Sequence, residues 1–153
     1  MSSNGQAGSR WGCTVEGPPS VMLQAALRTL RRGGNQPQEL PACNGSTCDW
    51  VRRVAECLHD GTCQVAVLFC EDAGLACCVA NKVPGVRAAA VGSVGQARRA
   101  LDGLGANLLV VEAAGRTFYE CKELLRLCGD RAPVRCPPGV ACVLQELDGH
   151  AHR

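Results

Sequence analysis

Apolar and polar positions follow two rhythms along this chain. Leu23, Ala26, Leu27 and Leu30 recur every three or four residues, the period of a helix with one buried face. Ser20 suits the N-cap of that helix, and Arg28, Arg31 and Arg32 suit the negative end of its dipole. Gly33-Gly34 stops it. Trp50, Val51, Val54, Cys57 and Leu58 repeat the helical pattern over about 48–59, before an Asp60-Gly61 turn. Val65 to Phe69 is apolar at every position, as a parallel strand covered on both faces should be. A helix is predicted over 73–81, then a loop through Pro84, then a strand from Arg87 to Val91. Val94, Ala97, Leu101 and Leu104 mark a helix face, Leu108 to Val111 a second buried strand, and Phe118, Cys121, Leu124, Leu125 and Cys128 another helix. The stretch from Pro133 to Gly139 breaks the chain before a last short helix near 140–147. Trp11 opens a short apolar start that runs into a turn-rich stretch, Gly12 to Pro19. Residues 35–47 read as loop with a short strand near Glu39–Leu40.

Strand and helix units alternate with short connections, which predicts an α/β protein: a Rossmann-like parallel sheet with helices on both faces, in a single domain. Residues 1–10 read as a disordered leader, 11–147 as the domain and 148–153 as a polar tail. No repeat is evident.

The net charge of +2 is too mild to call for nucleic acid or an anionic membrane, and aromatics at 3% leave few stacking platforms for bases. No apolar run approaches the roughly 20 residues that span a bilayer, so no membrane insertion is expected. The twelve cysteines change the picture more. The first residues are polar and Gly/Ser-rich, without the apolar core of a signal peptide. Cys57, Cys70, Cys77, Cys78, Cys121 and Cys128 fall within apolar stripes, where a reduced thiol packs as a small hydrophobe. No C-x-x-C pair occurs, and the tightest spacings of the kind zinc uses are Cys43 to Cys48 and Cys57 to Cys63. The expectation is reduced packing cysteines in an intracellular, reducing compartment, cytoplasmic or organellar, with no metal and no cofactor.

Ala80 to Ala89 reads A-N-K-V-P-G-V-R-A-A. Together with Cys70 ahead of it, Gln96-Ala-Arg98, Gly105-Ala-Asn-Leu-Leu109 and Cys48-Asp-Trp-Val-Arg-Arg-Val-Ala55, this block resembles the type B ribose-5-phosphate isomerases and galactose-6-phosphate isomerases over roughly residues 10–147. The resemblance implies the Rossmann-like fold, dimers or tetramers with sites at subunit boundaries, and a proton transfer between C1 and C2 of an aldose phosphate through an enediolate. That chemistry needs a base, donors for the oxyanion, a ring-opening group and cations for the phosphate. Cys70 occupies the position of the family's base. Asn81 and Arg87 belong to the matching block and are candidates for binding substrate, or else for shaping the turn.

Elsewhere the family's polar groups are replaced. The G-T-G-x-G cradle becomes Glu71, Asp72, Ala73, Gly74 and Leu75, with two carboxylates where negative charge would develop. Like charges about 4 Å apart repel by about 4 kcal/mol at an effective dielectric near 20, equivalent to several powers of ten in rate. The ring-opening Asp-His pair becomes Thr14-Val15 between Gly12 and Gly17. A histidine becomes Gly92, a histidine-asparagine pair becomes Gly103-Leu104, a G-A-R becomes Glu112-Ala113-Ala114, and the C-terminal arginines are missing from Pro138 to Cys142.

The resemblance therefore implies a catalytically degenerate member: a non-catalytic isomerase-fold protein acting as a structural or interaction subunit of a larger assembly, with protein partners or a homodimer through the family interface. One alternative is a live aldose–ketose isomerase with Cys70 as base, with Arg116, Arg131 and Arg135 replacing the lost phosphate cations. The other is a small-ligand sensor in a remodelled pocket that uses Cys70, Cys77 or Asp72.

Overall fold

The stretch Val65–Cys70 organises the structure: all six positions are buried, and its side chains alternate between two separate cores. The protein is described here from a computed structural model, which covers residues 10–131 and 134–150. In chain order the elements are β1 (Trp11–Val15), α1 (Val21–Arg32), β2 (Gln38–Glu39), α2 (Thr47–His59), β3 (Val65–Cys70), α3 (Ala73–Ala80), β4 (Ala88–Ala90), α4 (Val94–Arg99), β5 (Leu108–Glu112), α5 (Phe118–Arg131) and α6 (Pro138–His150). A π-helical turn, Ala100–Leu104, extends α4.

The five strands lie in the order β2-β1-β3-β5-β4, and every pairing is parallel. Val65, Val67 and Phe69 face α1, α4 and α5, with Leu23, Ala26, Leu124 and Leu125 among the packing residues. Ala66, Leu68 and Cys70 face α2 and α3, against Trp50, Val51, Val54 and Ala76. This is the expected Rossmann-like sheet with helices on both faces. Full burial of each large aliphatic side chain contributes roughly 1.5–3 kcal/mol.

Local signals explain the helix ends. Ser20 Oγ accepts from Leu23 N at 3.1 Å, Ser46 Oγ from Asp49 N at 3.4 Å, and Ser93 Oγ from Gln96 N at 3.1 Å. Thr117 and Glu120 form a reciprocal capping box at α5: Glu120 N donates to Thr117 Oγ1 at 3.1 Å, and Thr117 N donates to Glu120 Oε1 at 3.3 Å. The turn after the π-helical segment demands glycine: Gly105 has φ +66°, and a Cβ there would lie 2.5 Å from the backbone of Arg135 and Cys136.

The structure departs from the sequence reading in several places, among them β4, which is Ala88–Ala90 and not Arg87–Val91, and α6, which begins at Pro138 inside the expected break. The turn-rich stretch begins later than expected, because Trp11–Val15 is a strand between β2 and β3. Its Gly, Cys and Thr residues lack an apolar run, and sheet pairing on both sides overrides that weak local preference. β2 lies at Gln38–Glu39, one residue earlier than expected. The last helix runs through His150, so residues 148–150 of the expected tail are helical. Cys78, expected in an apolar stripe, is exposed. The leader residues 1–9 and the end of the tail, 151–153, lie outside the described residues. All twelve cysteines are free thiols, and Cys63, Cys70, Cys121 and Cys128 are buried. No helix is long and apolar enough to cross a membrane among the described residues.

Candidate functional site

Parallel α/β sheets bind ligands outside the carboxyl ends of their strands, where the strand order reverses. Here β1 is followed in sequence by β2 on one side and then by β3 on the other, so the reversal lies between β1 and β3. The residues at this edge are Glu16 after β1, Cys70-Glu71-Asp72 after β3 and Glu112 closing β5. Cys70 pairs in register with Glu112.

The backbone N–H groups at this edge already have anionic partners. Glu16 accepts from Glu71 N at 3.0 Å through Oε2 and from Thr47 Oγ1 at 2.8 Å through Oε1. Glu112 Oε1 accepts from Ala73 N at 3.5 Å. Asp72, the N-cap of α3, accepts from Leu75 N at 3.1 Å. Carboxylates of the chain itself thus sit where the opened helix N-terminus would attract an external anion.

Cys70 is fully buried, and its thiol points at Val111 O, 3.7 Å away. Burial, reinforced by Glu16, Glu112 and Asp72, pushes the thiol up to about 12. Cys77, on α3, is also raised by burial. The small cavity nearest this edge, about 200 Å³, is lined by Ala73, Ala90, Gly92, Glu112 and Arg116. Arg116 is the cation there, and it is engaged: Nε donates to Glu112 O at 3.0 Å, and Nη1 to Gly92 O at 2.7 Å and Glu120 Oε2 at 3.1 Å.

Thr14 and Val15 do not open into the cleft as a polar pair. Thr14 is buried, donates to Pro41 O at 3.1 Å and accepts from Trp50 Nε1 at 3.2 Å, fastening the loop before α2 to β1. Arg131 is ion-paired with Asp102, and Arg135 lines the same shallow pocket at the far end of α5.

Asn81 and Arg87 lie at the amino edge of the sheet beside Ala88, which is four strand positions, about 13 Å, from the level of Cys70. Asn81 clasps the start of β4, with Nδ2 donating to Ala88 O at 3.0 Å and Oδ1 accepting from Ala88 N at 2.8 Å. Arg87 Nε donates to Gly105 O at 2.8 Å and Nη1 to Gly85 O at 3.2 Å. Both residues line a cavity of about 340 Å³ under α6, together with Leu104, Ala141, Leu144 and Asp148. The structure brings Cys70, Glu71 and Asp72 together and places Asn81 and Arg87 apart from them. Among the described residues no three His, Cys, Asp or Glu side chains form a group that could hold a metal ion.

Glu16 is the site residue the sequence reading overlooked. Its one local signal is a carboxylate directly after a strand and before Gly17-Pro18.

Comparison with known proteins agrees with this architecture. Residues 36–127 match the family described as Ribose/Galactose Isomerase. No match is found among the curated proteins. The fold is similar to the type B ribose 5-phosphate isomerase of Trypanosoma cruzi, with TM-score 0.72 and 19% identity over 95% of this chain and 99% of that one. It is similar to ribose-5-phosphate isomerase B of Clostridium thermocellum, with TM-score 0.73 and 17% identity over 94% and 97%. The same isomerase from Mycoplasma genitalium, solved with bound ribulose-5-phosphate, gives TM-score 0.72 and 17% identity over 94% and 97%. With the family match spanning most of the domain and the same sheet on the page, the chain belongs to the ribose/galactose isomerase family.

Proposed function

We propose that this chain is a non-catalytic member of its family, serving as a structural or interaction subunit of a larger assembly. One observation carries the reading: the chain's own Glu16 and Glu112 carboxylates take the backbone N–H groups of Glu71 and Ala73 at the cleft. An enediolate oxyanion needs such donors free and aimed at it. Here a developing negative charge would meet carboxylates instead. Cys70 completes the case, because a thiol held at about 12 stays protonated at neutral pH and takes no proton. In this reading Asn81 and Arg87 are turn-shaping residues, the assembly is reached through protein partners or a homodimer, and a reducing intracellular compartment keeps the thiols free.

The test is conversion of ribose 5-phosphate to ribulose 5-phosphate by the purified chain. No turnover above the buffer background is expected. Turnover that disappears in Cys70→Ala would establish the isomerase alternative instead. The ligand-sensor reading, through Cys70, Cys77 or Asp72, gains nothing from the 340 Å³ cavity, which lies at the opposite edge of the sheet beside Asn81 and Arg87. Saturable binding of a small molecule that Asp72→Ala abolishes would favour it.

A further inference from the structure

Seven large apolar side chains are exposed among the described residues. Two, Val143 and Leu147, lie on α6. The other five are Val21, Met22, Leu75, Phe118 and Tyr119. Each of these five sits in the first turn of a helix that leaves the carboxyl edge of the sheet: α1, α3 or α5. Helices α1 and α5 pack side by side on one face of the sheet, so Val21, Met22, Phe118 and Tyr119 gather on one rim of the cleft. Leu75, on α3, stands on the opposite face. Between the two rims lies an acidic floor made of Glu71, Asp72 and Glu112, all exposed, and the half-buried Glu16.

Chance placement does not favour this arrangement. Helix first turns are sites for capping and polar residues, and large apolar groups there cover nothing of their own core. The floor is also negative in a chain whose net charge is positive. Four cations of the flanking elements are already engaged. Arg116 is held by Glu120 and two backbone carbonyls, Lys122 lies 5.9 Å over the Phe118 ring, Arg52 pairs with Glu56, and Arg53 donates to Ala42 O.

We infer that the former substrate cleft is a docking surface for a protein segment that presents a lysine or arginine between apolar side chains. The basic group would reach the carboxylates of Glu71, Asp72 and Glu112, and its apolar neighbours would cover Met22, Phe118 and Tyr119. The occupant follows from charge complementarity: an acidic floor inside an apolar rim repels an acidic partner, leaves the rim uncovered by a purely polar one, and under an uncharged apolar one would bury carboxylates that no cation neutralises. The inference rests on the non-catalytic reading, since an anionic substrate and a cationic segment cannot share the floor.

The probe is a fluorescent synthetic peptide of alternating lysine and leucine, titrated with the full chain and followed by fluorescence anisotropy. Two control peptides replace the lysines by glutamate or the leucines by serine. The lysine–leucine peptide should bind and both controls should not. Glu71→Lys and Met22→Asp should each weaken binding about tenfold or more, while Leu147→Asp on α6 should leave it unchanged. Thermal melts of each variant separate lost binding from lost folding, and both tested side chains are exposed. Absent binding, or binding that Glu71→Lys and Met22→Asp do not weaken, overturns the docking surface. Self-association in sedimentation that Met22→Asp dissolves overturns it in favour of a second copy of this chain. The isomerase assay runs on the same preparations: a silent assay without peptide binding removes only the docking surface, whereas turnover removes the non-catalytic reading as well.

Discussion

Cys70 shows how much one residue's meaning depends on its surroundings. At the end of β3 its position suits a catalytic base, yet the thiol is sealed against Val111 O and faces a wall of carboxylates. Thiolate, not thiol, is the reactive form, and burial withholds it. Exposed Cys48, Cys78 and Cys142 have no such protection. Iodoacetamide at mildly alkaline pH should therefore label those three in the native protein and spare Cys70 and Cys128 until denaturant is added. Peptide mass mapping reads the order directly, and early labelling of Cys70 would contradict the buried-thiol account. Glu16 carries the opposite lesson. It is unremarkable among its neighbours and decisive at the cleft, because its partner Glu71 is fifty-five residues away in the chain.

At the scale of elements, the best-matching block of the sequence proves to be a joint. Asn81 ends α3 and pins both backbone groups of Ala88 at the start of β4, while Asn107 Oδ1 accepts from Arg87 N at 2.7 Å and its Nδ2 donates to Gly85 O at 3.0 Å. β4 is only three residues long and sits at the edge of the sheet, so these side-chain bonds substitute for ladder bonds it does not have. Asn81→Ala should cost about 2 kcal/mol, the loss of two hydrogen bonds with one backbone group left poorly paired. A lower urea midpoint at unchanged slope would bear this out, and a midpoint equal to the parent's would refute the joint. Asn81→Asp, which keeps the acceptor and loses the donor, should fall between them.

The whole molecule adds a pH dependence that no single element sets. Hydrogen bonds from Thr117 hold Glu120 below the ordinary carboxylate range, and Arg126 does the same for Glu123. Their folded pKa values lie below the unfolded ones, so this stability is present above about pH 4.3 and is lost as pH falls further. Burial raises Cys13, Cys63 and Cys70 to about 12. Raised thiols keep their protons in the folded state, so their contribution is whole below the unfolded value near 8.5 and drains away as pH climbs toward 12. Urea midpoints should be highest between about pH 5 and pH 8 and fall on both sides. A midpoint no lower at about pH 10 than at pH 7 would show that the buried thiols carry no such linkage. Seen at this scale, the sequence by itself determined the two-faced α/β architecture. The all-apolar runs of β3 and β5 need cover on both faces, Leu23 to Leu30 and Trp50 to Leu58 supply it, and Ser20, Gly33 and the Ala80–Ala89 block mark joints through short-range chemistry. The tertiary structure alone decided that Trp11–Val15 is a strand, that Thr14 serves Trp50, and that Glu16 and Glu112 occupy the cleft. Those outcomes depend on strand order and on partners distant in sequence, and neither is written in the period or propensity of any one segment.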